Sequence, residues 1–356
     1  MAADIYFAPV TGNEKPTSIQ KKIQKLFDAA ALPSCIAKQD LVAVKLHIGE
    51  KGNTTHIPAS YVKPVVECIQ QGGGKPFLTD TNTLYRGQRA NAVDHLHLAH
   101  AHGFTIDAVG APMIISDGLF GTSEKEVEIN GEFYTTIAVA SEVVMANALI
   151  VLTHPTGHPG TGTGATLKNI GMGFSSRKGK LAQHSQMLPK IDADKCTQCG
   201  MCVKWCPEDT IEMRDQSAFV IEEGCIGCGE CLAVCRFGAV LFDWNVSSEV
   251  LQKRIVEHAY GAVKDKAGKV GYMSFLISMT KGCDCFGTNQ KPIMPDIGIV
   301  AGKDPVAVDQ ATLDLVQKHT GKTLREQTYP EIDPTAQLMH GERIGLGERA
   351  YQLTEL

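Results

Sequence analysis

Eight cysteines fall in one short stretch of the chain, in two runs of identical spacing. The runs are Cys196-x2-Cys199-x2-Cys202-x3-Cys206-Pro207 and Cys225-x2-Cys228-x2-Cys231-x3-Cys235. Gaps of two residues let a tight loop wrap three corners of an iron–sulfur cubane, while the fourth cysteine of each run reaches the other cluster. The spacing therefore predicts two [4Fe–4S] clusters with crossed ligation, one held by Cys196, Cys199, Cys202 and Cys235, the other by Cys206, Cys225, Cys228 and Cys231. Zinc is the alternative metal, but a zinc ribbon does not account for four cysteines in each run.

A second cysteine motif, Cys283-Asp284-Cys285, lies well outside those runs. A disulfide between residues two apart would be badly strained, so the pair suggests a shared metal or a reactive redox pair. Two thiolates are too few to hold a cubane alone. Cys283 and Cys285 are therefore candidates for a third metal or iron–sulfur centre, for redox-active thiols, or for buried structural thiols.

Short apolar runs alternate with helical patterns outside the cysteine-rich stretch, which predicts an α/β fold with a mainly parallel sheet and flanking helices. The expected strands are 41–46, 76–79, 148–153, 270–277 and 297–301, and the expected helices are 18–30, 59–70, 91–102 and 305–318. Residues 188–244 are expected to form a small α+β, ferredoxin-like module. It would be inserted between residues 1–187 and 245–356, the two parts of the α/β domain.

Ligands of open α/β sheets bind beyond the carboxyl ends of the strands, so the residues just past each apolar run matter most. Four polar residues there are candidates to orient an anionic substrate or to supply protons: Lys45, His47, Asp80 and Lys168. His154 and His158 follow another strand. The glycine-rich stretch 157–173 is neither a Walker loop nor a dinucleotide fingerprint. It either presents backbone N–H groups to an anion beside Lys168 or forms a tight structural turn.

Composition limits the class of partner. The net charge of -5 argues against nucleic-acid binding. Between residues 190 and 243 there are ten acidic and five basic side chains, which suits docking to a redox partner with a basic face, such as a ferredoxin- or flavodoxin-like protein or a reductase. Neither a signal-like start nor an uninterrupted apolar span is seen, so we expect a cytoplasmic protein that does not interact with membranes.

Several motifs together resemble a known family. They are Lys45-Leu46-His47-Ile48-Gly49-Glu50-Lys51-Gly52-Asn53-Thr54-Thr55, the run from Gly164 to Gly173, Cys283-Asp284-Cys285 with Asp296-Ile297-Gly298, and Asp304-Pro305-Val306-Ala307-Val308-Asp309. This chain resembles domain of unknown function 362, and the cysteine-rich segment resembles bacterial two-cluster ferredoxins. The resemblance implies an iron–sulfur setting in bacteria and archaea, many of them anaerobic, but no reaction.

The residues favour an iron–sulfur redox protein whose two clusters relay electrons to a site near Cys283 and Cys285. This would be a reductase-type oxidoreductase acting on an unidentified substrate or metal centre. The alternative is a non-enzymatic electron carrier or a protein that handles clusters or metals. A purely structural role for the module is a third hypothesis.

Overall fold

The computed structural model describes residues 2–85, 87–185, 188–242 and 246–356. Its strands are β1 (Ala3–Pro9), β2 (Leu41–Lys45), β3 (Lys75–Asp80), β4 (Met113–Ile115), β5 (Glu124–Glu128), β6 (Thr136–Ala140), β7 (Ala148–Thr153), β8 (Thr156–His158), β9 (Gly162–Gly164), β10 (Lys190–Ile191), β11 (Ile211–Arg214), β12 (Ser217–Val220), β13 (Val240–Leu241), β14 (Val270–Leu276), β15 (Gly298–Gly302) and β16 (Tyr351–Glu355).

The α-helices are shorter on average in the cysteine-rich segment than elsewhere. They are α1 (Pro16–Ala29), α2 (Ala59–Gln71), α3 (Ala92–Ala101), α4 (Ile106–Val109), α5 (Ser141–Met145), α6 (Thr166–Gly171), α7 (Arg177–His184), α8 (Met201–Lys204), α9 (Glu230–Val234), α10 (Ser248–Val263), α11 (Pro305–Thr320), α12 (Leu324–Gln327) and α13 (Thr335–Arg343). Short 3-10 turns cover Leu32–Cys35 and Lys264–Lys266. None of these described helices is long and apolar enough to cross a bilayer.

Eight strands form one sheet in the order β16-β1-β15-β14-β7-β2-β3-β4. The pairs β14–β7, β7–β2, β2–β3, β3–β4 and β1–β16 are parallel, and only β15 runs against its neighbours β1 and β14. The fold class predicted from the sequence, α/β with a mainly parallel sheet, is confirmed.

Helices cover both faces of this sheet. Helices α1 and α2 pack on one face, with Ile23 and Val65 in a shared core, and α6, α10 and α11 contribute to the core on the other face. Because both faces are covered, the central strands are apolar throughout: all six residues of β7 are buried. That continuous burial explains why an uninterrupted apolar run, rather than an alternating one, marked this strand in the sequence.

The sheet takes strands from both sides of the cysteine-rich segment, since β14 and β15 follow that segment while β7 precedes it. Between them lies a small unit with two short antiparallel pairs, β10–β13 and β11–β12. Its own apolar core includes Ile211, Val220 and Cys231. The expected domain boundaries at residues 187 and 244 lie outside the described residues.

Candidate functional site

Four neighbouring parallel strands end at one edge of the sheet and deliver polar side chains there. Lys45 is the last residue of β2 and Asp80 the last residue of β3. Thr153 ends β7, and the loop carrying Cys283 follows β14. The sequence placed these groups at a common edge, and the structure brings them together in one buried cluster.

Lys45 and Asp80 form a buried ion pair at the centre of that cluster. Lys45 Nζ lies 3.1 Å from Asp80 Oδ1 and donates to Asn169 Oδ1 at 2.8 Å. Arg89 adds a second cation, with Nη1 3.3 Å from Asp80 Oδ2 and Nε 3.4 Å from Glu50 Oε2. Burial opposes ionisation of Asp80, but Lys45 and Arg89 hold its pKa far below the usual range. Two cations and two carboxylates thus balance one another inside the protein.

His154 and Asp284 form a second buried ion pair. His154 Nδ1 lies 2.7 Å from Asp284 Oδ2, and His154 Nε2 lies 2.9 Å from the carbonyl oxygen of Ile277. Both partners accept, so both ring nitrogens must donate and the ring is an imidazolium. Burial opposes this charge, but the Asp284 carboxylate raises the pKa of His154. Burial likewise opposes the charge on Asp284, whose pKa the His154 cation lowers to about 2.

The remaining oxygen of Asp284 is also occupied. Asn53 Nδ2 and Thr55 Oγ1 each donate to Asp284 Oδ1 at 3.2 Å. Asn53 and Thr55 belong to the loop after β2, so this carboxylate ties together the ends of β2, β7 and β14. The middle residue of Cys283-Asp284-Cys285 is therefore a structural anchor for the motif.

The two thiols of that motif differ in their surroundings. The backbone N–H of Cys285 donates to Cys283 Sγ at 3.4 Å. A hydrogen bond from the Cys285 thiol lowers the pKa of Cys283 despite burial, and Lys168 adds to this effect. The same hydrogen bond and burial raise the pKa of Cys285. The pair therefore combines a sulfur with thiolate character and a neutral thiol.

A small cleft of about 40 Å³ opens beside Cys283. Its lining residues are His47, Thr153, His154, Thr156, Gly164, Ala165, Lys168, Asn169, Cys283 and Asp284. His47 Nδ1 accepts a hydrogen bond from the Gly49 N–H at 3.0 Å, and burial holds the pKa of His47 well below its usual value. His47 is therefore neutral, with its proton on Nε2. Of the four candidates, His47 and Lys168 line the cleft, while Lys45 and Asp80 lie behind it.

Helix α6 begins beside this cleft, and an internal carboxylate caps it. Asp309, on α11, accepts hydrogen bonds from the backbone N–H groups of Thr166 and Leu167, both at 2.8 Å. The glycine-rich stretch thus does not offer these two amides to an external anion, as one interpretation of the sequence allowed. Lys168, on α6, is the cation that the stretch brings to the cleft.

Each predicted set of four cysteines surrounds its own small cavity in the cysteine-rich segment. Cys196, Cys199, Cys202 and Cys235 line one cavity, and Cys206, Cys225, Cys228 and Cys231 line the other. Four thiols around a mostly apolar cavity are the donor set that a [4Fe–4S] cluster requires. In the part of the chain that the structure describes, no group of three or more His, Cys, Asp or Glu side chains is placed to hold a single metal ion.

Leu84 and Leu181, from the α/β part of the chain, pack against the core of the cysteine-rich segment. The next residue after Leu84 is Tyr85, whose hydroxyl donates to the backbone carbonyl of Cys285 at 3.3 Å. Arg89 Nη2 in turn donates to that hydroxyl. The loop after β3 therefore contacts the cysteine-rich segment at one residue and the Cys283 site at the next.

Sequence reasoning missed the roles of Tyr85, Arg89 and Asp309. Tyr85 and Arg89 follow β3 closely, and that position at the carboxyl end of a predicted strand was the available signal. Asp309 lies inside a helix, where an acidic residue normally suggests a solvated face, so no local pattern indicates its role as a cap for α6.

The fold and this arrangement define an α/β protein that carries a ferredoxin-type, cysteine-rich segment beside a buried polar site. The family model "Domain of unknown function (DUF362)" matches residues 42–314, and the chain belongs to this family.

Relatives with known names match a smaller part of the chain. The "Pyruvate synthase subunit PorD" of Methanothermobacter marburgensis is 35% identical over 77 residues, which is 22% of this chain and 88% of that protein. The "Uncharacterized ferredoxin MJ0265" of Methanocaldococcus jannaschii is 40% identical over 50 residues, 14% of this chain and 30% of that protein. Among solved structures, the lactate racemase apoprotein from Thermoanaerobacterium thermosaccharolyticum aligns at a TM-score of 0.38 and 13% identity, over 76% of this chain and 50% of that chain. That similarity is too weak to support any inference.

Proposed function

We propose that this protein is an iron–sulfur redox protein whose cysteine-rich segment passes electrons to the strand-end site around Cys283. Two observations support the iron–sulfur part: the relatives named as ferredoxins and as pyruvate synthase subunit PorD, and the two cavities lined by four cysteines each. A [4Fe–4S] cluster supplies one-electron transfer at a potential set by its surroundings.

Cys196, Cys199, Cys202 and Cys235 would hold one cluster, and Cys206, Cys225, Cys228 and Cys231 the other. Cys199 is exposed, whereas Cys231 is buried in the core that Leu84 and Leu181 help to form. Gly229, in the second run, lies beside Leu181 and Arg177 of α7, so the second set is on the side of the α/β domain. A redox partner with a basic face would meet the acidic, exposed side of the segment.

One observation carries the proposal that the segment serves the α/β site. Leu84 packs against the segment's core, and its neighbour Tyr85 is hydrogen-bonded to the carbonyl of Cys285. One peptide bond, between Leu84 and Tyr85, and one hydrogen bond therefore connect the cysteine-rich segment to the loop of Cys283 and Cys285. This contact supports a role of the segment in serving the site around Cys283.

Within the site we assign different roles to the candidate residues. Cys283 and Cys285 would take up the electrons in one of two ways. They could be ligands of a further centre, or they could form a strained, readily reduced disulfide, produced by an oxidising substrate, that returns to two thiols with two electrons and two protons. His47 and Lys168 face the cleft and would contact a substrate, His47 through its Nε2 proton. Lys45 and Asp80 are positioning residues, because their ion pair holds the ends of β2 and β3 together behind the cleft.

A reductive titration tests this function. The protein, purified anaerobically, is analysed for iron and acid-labile sulfide, treated with the thiol oxidant diamide, freed of excess diamide and then titrated with dithionite. Two clusters predict about eight iron atoms and an uptake of about two electrons per chain. If the Cys283 site accepts electrons, the wild type takes up more than this, and a Cys283→Ser/Cys285→Ser double variant loses only the excess while its iron content stays near eight.

The opposite result would favour the other hypothesis. An uptake of about two electrons in both proteins, with about eight iron atoms, would mean that the chain is an electron carrier or a cluster-handling protein without an acceptor near Cys283. A content near twelve iron atoms that falls to about eight in the double variant would assign Cys283 and Cys285 to a third cubane.

A further inference from the structure

Of the cations around the cleft, one does not face a carboxylate. Lys45 and Arg89 face Asp80 and Glu50, and His154 faces Asp284. Among the described residues the Lys168 ammonium group has no carboxylate partner and no hydrogen-bond acceptor, and its charge acts on the Cys283 sulfur. It lies at the wall of the same cleft as Cys283 and is only partly buried.

An unpaired ammonium group in a narrow cleft is a strong site for a negative charge, because low-dielectric walls focus its field. The backbone amides that begin α6 do not compete for the anion, since Asp309 already accepts from them. Three groups with ligand-binding capacity remain in the lining: the Lys168 ammonium, the His47 Nε2 proton and the Cys283 sulfur.

Size restricts the ligand further. The cleft volume of about 40 Å³ corresponds to about three spheres of water size, each of about 10–15 Å³. Only a few atoms of a ligand can therefore be enclosed. This room suits a small carboxylate whose remaining atoms lie at the mouth of the cleft.

We propose that this cleft binds a small carboxylate, with Lys168 facing the negative charge and Cys283 facing the ligand's reactive carbon. The inference names the ligand class of the proposed electron-accepting site and so rests on the proposed function for its relevance to turnover. The binding itself depends only on the cleft.

Two alkylating reagents of nearly equal size test the proposal. Iodoacetate carries a carboxylate where iodoacetamide carries a neutral amide. In both reactions the Cys283 sulfur forms an S–C bond and iodide leaves. The rates of alkylation at Cys283 are measured anaerobically on the intact protein, at a single pH, by peptide mass spectrometry. The ratio of the iodoacetate rate to the iodoacetamide rate is then divided by the same ratio for glutathione. Because both reagents react with the same thiolate, the thiolate fraction of Cys283 does not affect this normalised ratio.

We expect a normalised ratio of about ten in the wild type, a modest share of the attraction between two unit charges near a protein surface. Lys168→Met should lower the ratio to about one, and Lys168→Arg should retain most of it. Lys318→Met, at an exposed position on α11, is the matched control and should match the wild type. Acetate should also slow iodoacetamide in the wild type but not in Lys168→Met.

A wild-type ratio near one, or a high ratio that survives Lys168→Met, would overturn the proposal. So would a Cys283 that neither reagent modifies in the folded protein but both modify after unfolding, because a small anion could then not enter. None of these results depends on iron content or electron uptake. Failure of the ligand assignment is therefore distinguishable from failure of the redox function.

Discussion

The Tyr85 hydroxyl donates a hydrogen bond to the backbone carbonyl of Cys285, a residue 200 positions further along the chain. Arg89 donates to the same hydroxyl, so the phenol joins a guanidinium to the loop that holds both thiols. This contact fixes the Cys285 end of the motif against the loop after β3.

Tyr85→Phe keeps the aromatic ring but removes the hydroxyl that contacts Arg89 and the Cys285 carbonyl. We expect a loss of about 1 kcal/mol in the free energy of unfolding, the net value of an ordinary hydrogen bond. Alkylation of Cys285 by iodoacetamide should also become faster, because the loop is less firmly held. Urea unfolding and peptide mass spectrometry measure the two effects. Tyr6→Phe is the matched control, since no described residue is hydrogen-bonded to the Tyr6 hydroxyl, and an equal effect there would refute the assignment.

The crossed arrangement of cysteines predicts the iron content of double variants. Cys196→Ser/Cys235→Ser should remove one cluster and leave about four iron atoms per chain. Cys196→Ser/Cys206→Ser should damage both clusters and leave almost no iron. Anaerobic iron and sulfide analysis distinguishes the two. If ligation followed the sequence runs instead, the two variants would exchange their results.

Asp284→Asn should destabilise the protein strongly. The amide keeps the shape of the carboxylate but leaves the His154 imidazolium without its counter-charge, and breaking a buried ion pair from one side costs about 3 kcal/mol. A double-mutant cycle with His154→Gln measures the coupling by urea unfolding. The double variant should lose less stability than the sum of the single variants, and strict additivity would show that the two side chains act independently.

Stability should fall as the pH drops below neutrality, because several histidines are buried in neutral form. Burial lowers the pKa of His95 to about 3 and that of His258 also to about 3. An unfolded histidine has a pKa near 6.5, so the unfolded state binds more protons between these values. Each such histidine then lowers the free energy of unfolding by about 1.4 kcal/mol for every pH unit below about pH 6.5. This loss ends when the pH reaches the pKa of that histidine in the folded protein.

His95→Leu isolates one of these contributions. Neither ring nitrogen of His95 has a hydrogen-bond partner in the described structure, so the substitution costs no hydrogen bond. The loss of stability between pH 7 and pH 5 should be smaller than in the wild type by about 2 kcal/mol, measured by urea unfolding at each pH. His97→Leu, on the exposed face of the same helix, should leave the difference between the two pH values unchanged.

The central part of the fold could be predicted from the sequence because local signals and tertiary packing agree there. Strand β7 was predicted with the same bounds as in the structure. Helix α11 was predicted from residue 305, and Asp304 caps it by accepting from Val306 and Ala307. Helix α10 was missed because its buried face includes Gln252, Arg254, Glu257 and His258, which removes the apolar periodicity. Strand β1 was missed as well, although five of its residues pair with β15.

The sequence could predict where in the sheet the candidate site lies, but not which side chains contact one another there. The rule about strand ends gave Lys45 and Asp80 their common edge, but it did not show that the Arg89 side chain makes their cluster neutral. Arg89 is held by Asp80, Glu50 and the Tyr85 hydroxyl, and these contacts exist only in the folded chain. The pairing of His154 with Asp284 likewise joins residues 130 positions apart, so it could be seen only in the folded chain.

The order of strands also bears on how the chain folds during synthesis. Strands β7, β2, β3 and β4 are neighbours in the sheet and all precede the cysteine-rich segment, so half of the sheet can form before that segment leaves the ribosome. Strand β1 is made before this segment but pairs with β15 and β16, which follow it. Its apolar residues Ile5 and Phe7 therefore wait for their strand partners until β15 has been made. A chain cut short before Gly298 would expose an unpaired apolar strand and be prone to aggregate.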